Sequence, residues 1–271
     1  MNDLSPLSLI SPEAVLGTAV SVGPFSHIEA GVVIGDGCVI GSGVVLRRGT
    51  RLGAGVHVHS QAVLGGLPQD YAFDPSVASG VEIGDGTVIR ECVTVNRATA
   101  PGAATRVGKN GMLMACSHVA HDATVGDHVT LANGALIAGH VTVGDRAFIS
   151  GNAVVHQFNR VGPGTMVAGG AVITLDVPPY AMAADRNGLI GFNLVGMRRA
   201  GMPRASIAEL KRAWRLVYAP GAFNAAENAR GALDAGGFVS DEALTFLRFF
   251  AEPGRRHGHA RPRARTTETA G

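Results

Sequence analysis

Large side chains are what this sequence has least of. Aromatic residues make up 5% of its 271 residues, while glycine occurs 38 times. Few rings and many glycines suit a backbone that turns tightly and often. Charge is also sparse, at 16% of residues with a formal net charge of +2, so no global attraction to nucleic acid is expected. No run approaches the ~18 apolar residues of a membrane span. The start, Met1-Asn2-Asp3-Leu4-Ser5-Pro6, lacks the basic-then-apolar form of a signal peptide. Only three cysteines occur, Cys38, Cys92 and Cys116. Odd in number and far apart, they argue against a disulfide framework and fit a reduced, cytoplasmic protein.

What the sequence does contain is a repeat of period six. Ile10, Leu16, Val22, Ile28, Ile34, Ile40, Leu46, Leu52, Val58 and Leu64 form one aliphatic series. Small or short residues stand four places after each, among them Ala14, Val20, Ser26, Val32, Cys38, Thr50 and Ala62. The period breaks from Gly65 to Gly80, around Pro68 and Pro75, and again from about Arg97 to Arg106, around Pro101; both breaks read as inserted loops. From Val107 it runs through Val119, Val125, Leu131, Ile137, Val143, Val155, Val161 and Val167 to Ile173, with Asn159 awkward at a small inward position. A period of six fits neither an α-helical stripe nor one long strand. It fits short strands joined by tight corners, three per coil, stacked as a parallel β-helix.

Beyond Pro178-Pro179 the period stops. Pro203 followed by Ile207, Leu210, Trp214, Leu216 and Val217 predicts a helix, since proline suits a helix start. Phe223 to Ala235 predicts a second, and Ser240 caps a third ahead of Leu244, Leu247 and Phe250. The expected division is a β-helix over 1–185, a helical domain over 186–252, and a disordered basic tail over 253–271 that lacks core residues.

Three sides of roughly six residues make a coil of about 18, so residues that far apart stack in rungs ~4.8 Å apart. This register places His121 above Gly139 and then Gln157, and Asp122 above His140 and then Phe158, with His156 beside Gln157. His118 precedes inward-pointing Val119 and therefore faces out on the adjoining strand. A neutral imidazole is the natural general base for a hydroxyl near neutral pH, and a neighbouring carboxylate can orient it. A glycine N–H at the same corner can face a developing oxyanion. The group therefore suits acyl transfer to an alcohol. Solvent-facing decoration is the bland alternative. Three histidines across rungs would also offer a zinc set, as in the γ-type carbonic anhydrases, but Asp122 with Gln157 is not their arrangement, and no metal is assigned.

The stretch Leu113-Met114-Ala115-Cys116-Ser117-His118-Val119-Ala120-His121-Asp122 resembles the active-site rung of the acyl-carrier-protein-dependent UDP-N-acetylglucosamine O-acyltransferases, the LpxA family. So do Ala138-Gly139-His140, Val154-Val155-His156-Gln157-Phe158, Gly65-Gly66-Leu67-Pro68-Gln69-Asp70, and Gly191-Phe192-Asn193-Leu194-Val195-Gly196-Met197-Arg198-Arg199. The resemblance implies a left-handed coil and a cytoplasmic homotrimer with its sites between subunits. It implies transfer of a 3-hydroxyacyl chain from acyl carrier protein to the 3-hydroxyl of UDP-N-acetylglucosamine, the first step of lipid A biosynthesis, without a cofactor. A related transferase acting on a 3-amino sugar or another nucleotide sugar is the alternative. Carried over, His121 is the base, Asp122 orients it, and Gly139 supplies the oxyanion N–H. His118, His140, His156, Gln157, Asn193 and Arg199 would line the sugar-nucleotide site. Gln69 and Asp70 would come from a neighbouring subunit, and Gly169 would leave room for a longer acyl chain. Where the family usually has a lysine and a second arginine, this chain has Ala72 and Ala200.

Overall fold

A computed structural model describes residues 1–219, 224–252 and 256–263. From Asp3 to Ile173 the chain winds as a parallel β-helix whose short strands lie on three faces. Among the described residues the first face has twelve strands, including Met112–Leu113, Thr130–Leu131 and Phe148–Ile149. The second has nine, including His118–Val119, Leu136–Ile137 and Val154–Val155. The third has eight, including Thr124–Val125, Thr142–Val143 and Arg160–Val161. Strands pair with partners 18 residues on, as His118 with Leu136 and Leu136 with Val154.

The hexad positions explain why the coil holds this register. Ile28, Ile40, Leu46, Leu64, Leu113, Val119, Leu131, Ile137 and Val155 are buried, and so are the small residues Val20, Ser26, Cys38, Thr50, Ala62, Ala123 and Ala135. Burying one aliphatic side chain is worth about 1.5–3 kcal/mol. A slip of one residue would turn every such side chain to solvent, so the register is strongly specified. Asn159 is fully buried at its inward position; its Nδ2 donates to the Ile173 carbonyl at 3.3 Å, and its Oδ1 has no partner among the described residues.

Both inserted loops leave the coil at the edge between the second and third faces. The first joins Val63–Gly66 to Gly80–Ile83, and the second joins Thr94–Asn96 to Ala104–Val107. Gly65 opens the first loop with φ +83°, and a Cβ there would lie 2.5 Å from Thr50 Oγ1. Only glycine suits that backbone. Arg97 ties the loops together: it is buried, and its Nη2 donates to the Pro75 carbonyl at 2.7 Å.

Beyond the coil, four helices pack together among the described residues: α1 (Leu194–Arg199), α2 (Arg204–Val217), α3 (Ala225–Ala235) and α4 (Asp241–Ala251). The predicted helices correspond to α2, α3 and α4, and Ser240 caps α4 by accepting from the Ala243 N–H. Phe223, the expected start of the second helix, lies outside the described residues, and Asn224 caps α3. The segment after 185 departs from the expected helical domain. Gly188–Phe192 is a strand that runs antiparallel to Ala181–Ala184 and extends the first face, and only then does Asn193 cap α1. Trp214 of α2 and its C-cap residue Tyr218 touch both the coil core and the cluster around Leu210, Phe246 and Phe250.

The tail also departs from expectation where it is described. Ala260 is fully buried, Arg261–Pro262 pairs with Gly188–Leu189, and His259 bridges to Asp176. The backbone of this segment finds hydrogen-bond partners at the open end of the coil, which composition could not reveal. Residues 253–255 and 264–271 lie outside the described residues.

Candidate active site

The corner between the second and third faces gathers most of the residues singled out above. Asp122 (φ +60°), His140 (φ +60°) and Phe158 (φ +64°) take the same left-handed backbone position in three successive rungs. The His140 N–H donates to the His121 carbonyl at 3.1 Å, and the Phe158 N–H to the Gly139 carbonyl at 3.0 Å. His121, Gly139 and Gln157 therefore form one column, with Asp122, His140 and Phe158 beside it. The rings of His140 and Phe158 stack, with centroids 4.5 Å apart and planes 9° from parallel.

His121 and Asp122 are largely shielded, each with 14% of its side chain exposed. Nδ1 of His121 lies 2.8 Å from Oδ2 of Asp122. Asp122 also accepts from the Thr99 N–H at 3.0 Å and the Thr99 hydroxyl at 2.8 Å, and its own N–H donates to Thr105 Oγ1 at 2.8 Å. Burial acts to raise the Asp122 pKa, but the hydrogen bonds from His121 and Thr99 and the nearby His140 outweigh it and hold the carboxyl below the usual range. An ionised carboxylate can only accept. Nδ1 of His121 must then carry the proton, which leaves the Nε2 lone pair free.

Nε2 faces Gly139. A Cβ on Gly139 would lie 2.8 Å from Nε2 and 2.7 Å from Cε1 of His121. The glycine is thus required by close approach. No acceptor among the described residues takes the Gly139 N–H. A free imidazole nitrogen therefore stands beside a glycine whose N–H has no acceptor among the described residues, and these are the groups that abstraction of a hydroxyl proton and stabilisation of an oxyanion need.

His118 supports this group from the second face. Its Nδ1 lies 2.7 Å from Thr94 Oγ1, and burial lowers its pKa. Burial also lowers the His140 pKa; Asp122 opposes the shift, while His121 and Arg256 add to it. Nε2 of His140 is 3.7 Å from Asp122 Oδ2. Donor atoms of His121, Asp122 and His140 lie within 4.8 Å of one another, close enough for a metal set. However, Asp122 and His121 are spaced as a hydrogen-bonded pair rather than around a common centre.

The remaining candidates divide between this corner and other edges of the prism. Gln69 and Asp70, expected to come from a neighbouring subunit, are instead exposed on the first loop at the same edge as His121, and the charge of Asp70 reaches His140 of its own chain. Asn193 sits at the edge between the third and first faces, where its Nδ2 donates to the Gly164 carbonyl at 3.1 Å. It borders a cleft of about 350 Å³ with Asp145, Arg146, Tyr180 and Ala200. Arg199 is exposed at the end of α1. Gly169 occupies the edge between the first and second faces, where the nearest atom to an added Cβ is the Gly151 carbonyl oxygen at 3.4 Å. Within one chain, therefore, Asn193, Arg199 and Gly169 do not join the His121 corner.

Sequence reasoning missed Thr94, Thr99 and Thr105, which fix His118 and Asp122. Thr99 lies in the second loop, where the period gives no register. It also missed Arg256 and His257, which return to this corner from the far end of the chain. The His257 Nε2 lies 2.9 Å from the Gln157 carbonyl oxygen, and its ring meets that of His156 edge-on at 5.8 Å.

Comparison with known proteins shows the family of the chain. Residues 176–259 match the model of the second domain of UDP-N-acetylglucosamine O-acyltransferases, and residues 13–48 match the bacterial transferase hexapeptide repeat. The acyl-[acyl-carrier-protein]--UDP-N-acetylglucosamine O-acyltransferase of Halorhodospira halophila is 42% identical over 222 residues, 82% of this chain and 86% of that protein. The enzyme of the same name from Rhizobium johnstonii is 39% identical over 216 residues, 79% of each chain. The crystal structure of LpxA, a UDP-N-acetylglucosamine acyltransferase from Bacteroides fragilis, superposes with a TM-score of 0.88 at 38% identity, covering 95% of this chain and 99% of that one.

Proposed function

Since the chain belongs to the UDP-N-acetylglucosamine O-acyltransferase family, we propose that it performs that family's reaction at the His121 corner. It transfers a 3-hydroxyacyl chain from acyl carrier protein to the 3-hydroxyl of UDP-N-acetylglucosamine, the entry step of lipid A biosynthesis. The observation that carries the reading is the His121 ring, held by Asp122 through Nδ1 with Nε2 turned to Gly139.

Nε2 of His121 takes the proton of the sugar hydroxyl as its oxygen attacks the thioester carbonyl. Asp122 stabilises the imidazolium that forms. The carbonyl oxygen becomes an oxyanion and receives the Gly139 N–H. Collapse expels the carrier's thiolate, which takes the proton from the imidazolium. The products are the 3-O-acyl nucleotide sugar and the free carrier thiol. The steps balance without a metal or a redox partner.

His118, His140, His156 and Gln157 line the acceptor site, with Gln69 and Asp70 at its rim. Asn193, Arg199 and Gly169 reach it from a neighbouring copy. Their positions on other edges of the prism support side-by-side assembly into a homotrimer, because residues on different edges of one coil meet only across such an interface. Basic residues near Arg198 meet the acidic carrier. The reaction takes place in the cytoplasm, and no helix among the described residues is long and apolar enough to cross a membrane.

The test is an acyl-transfer assay on purified protein with 3-hydroxyacyl carrier proteins and UDP-N-acetylglucosamine, run beside His121→Ala. Wild-type turnover that the variant loses supports the proposal. Equal turnover in both would overturn the mechanism. No turnover unless the acceptor is a 3-amino sugar nucleotide would redirect the substrate assignment.

A further inference from the structure

The described part of the C-terminal tail does two separate things. Residues 258–263 close the open end of the coil. The Asp176 N–H donates to the Gly258 carbonyl and the Ala260 N–H to the Asp176 carbonyl, both at 2.9 Å; the Tyr218 hydroxyl donates to the Ala260 carbonyl at 3.0 Å. Such a cap satisfies an edge that would otherwise present unpaired groups. It requires nothing from Arg256 or His257, which lie upstream of these anchors and turn toward the His121 corner.

The Arg256 guanidinium lies over the Phe158 ring, 3.7 Å from its centroid, and Phe158 is the ring stacked on His140. His257 holds this reach in place through the Gln157 carbonyl. Arg160 and Arg263, on the same end of the coil, pair with Asp176 and Asp185. Among the described residues no carboxylate pairs with Arg256, which is exposed. A guanidinium laid flat on a ring keeps its in-plane N–H groups free, and their fork geometry matches a phosphate. The neighbouring groups are His140, His156 and His257. The carboxylate of Asp122 is committed to His121 and Thr99, and the other acid whose charge reaches His140 is Asp70 on the first loop.

We propose that Arg256 is a further substrate-binding residue, whose guanidinium, seated on Phe158 at the end of the His121–Gln157 column, binds the diphosphate of the nucleotide-sugar acceptor. The proposal rests on the function given above. Arg256 selects for an acceptor that carries phosphate, and it does so from a segment remote in sequence from the rest of the site.

The test measures full-length wild type, Arg256→Ala and Arg256→Lys by steady-state kinetics with both substrates, by binding of UDP without donor, and by melting temperature. In Arg256→Ala the KM for UDP-N-acetylglucosamine should rise about tenfold and UDP binding should weaken in parallel, the loss of one charge-assisted contact. The kcat should stay within about twofold, the donor KM and the melting temperature should not move, and Arg256→Lys, which keeps the charge but loses the stacked fork, should recover only part of the loss. Unchanged acceptor KM and UDP binding in an active protein would overturn the proposal alone. A rise confined to the donor KM, or one accompanied by a lower melting temperature in both variants, would also overturn it. A wild type inactive on UDP-N-acetylglucosamine would overturn both this proposal and the function on which it rests.

Discussion

Replacing Asp122 with asparagine isolates the charge at the centre of the site while keeping its shape. The carboxylate accepts from the His121 Nδ1–H through Oδ2 and from the Thr99 N–H through Oδ1. An asparagine can serve only one of these as acceptor. If its oxygen faces Thr99, its amide donates toward His121 Nδ1, which must then accept, and the proton moves to Nε2. The base would be in the wrong tautomer. If its oxygen faces His121, two donors meet at Thr99 and the corner loosens. In both cases the imidazolium loses a charge-assisted hydrogen bond worth about 2–3 kcal/mol, a factor of about 30–150 in rate. With the tautomer added, kcat should fall about 10²- to 10³-fold and KM for either substrate should change little. The assay is steady-state acyl transfer, with melting temperature as a check on folding. The double variant with His121→Ala should be no slower than His121→Ala alone, because the two residues act as one unit. A kcat within threefold of wild type would refute the reasoning.

Gly139→Ala should lower kcat about 100-fold without unfolding the coil, since the new Cβ would push the His121 ring from its place while the glycine's backbone is not left-handed; normal kcat would show that the ring can shift freely. Gly169→Met should move donor preference toward shorter hydroxyacyl chains, measured by competition between carrier proteins loaded with ten- and fourteen-carbon chains, whereas a wild type that already prefers ten carbons would contradict the open position. Stability should also depend on His118. Burial lowers its pKa, so between the ordinary value near 6.5 and the lowered one the unfolded chain binds a proton that the folded chain does not. Stability from this group is therefore present above about pH 6.5 and is lost as pH falls through that window. Melting curves from pH 7.5 to 5 should fall less steeply for His118→Asn than for wild type, and parallel slopes would reject the assignment.

The coil was legible because its core obeys one rule at every position. Val119, Leu131 and Val155 each fill the same kind of site, so the period alone placed His121 over Gly139 and Gln157. The two loops were visible as breaks, but not what they do; Thr99 orients Asp122 from a segment in which no period operates. The helices were read from apolar spacing and the Ser240 cap, whereas Gly188–Phe192 became a strand because the first face offered it an edge. The hand of the coil came from the family resemblance and from no single residue.

By itself, then, the sequence determined the repeat, the register and the identity of the residues at one corner, since these depend on local spacing and on which side chains must be buried. Tertiary structure decided what spacing cannot carry. It put Thr99 against Asp122, placed Asn193 and Gly169 on other edges of the prism, and brought Arg256 back to Phe158 from the far end of the chain. Such contacts depend on where a loop or a tail finds free backbone partners, and those partners exist only once the coil has formed.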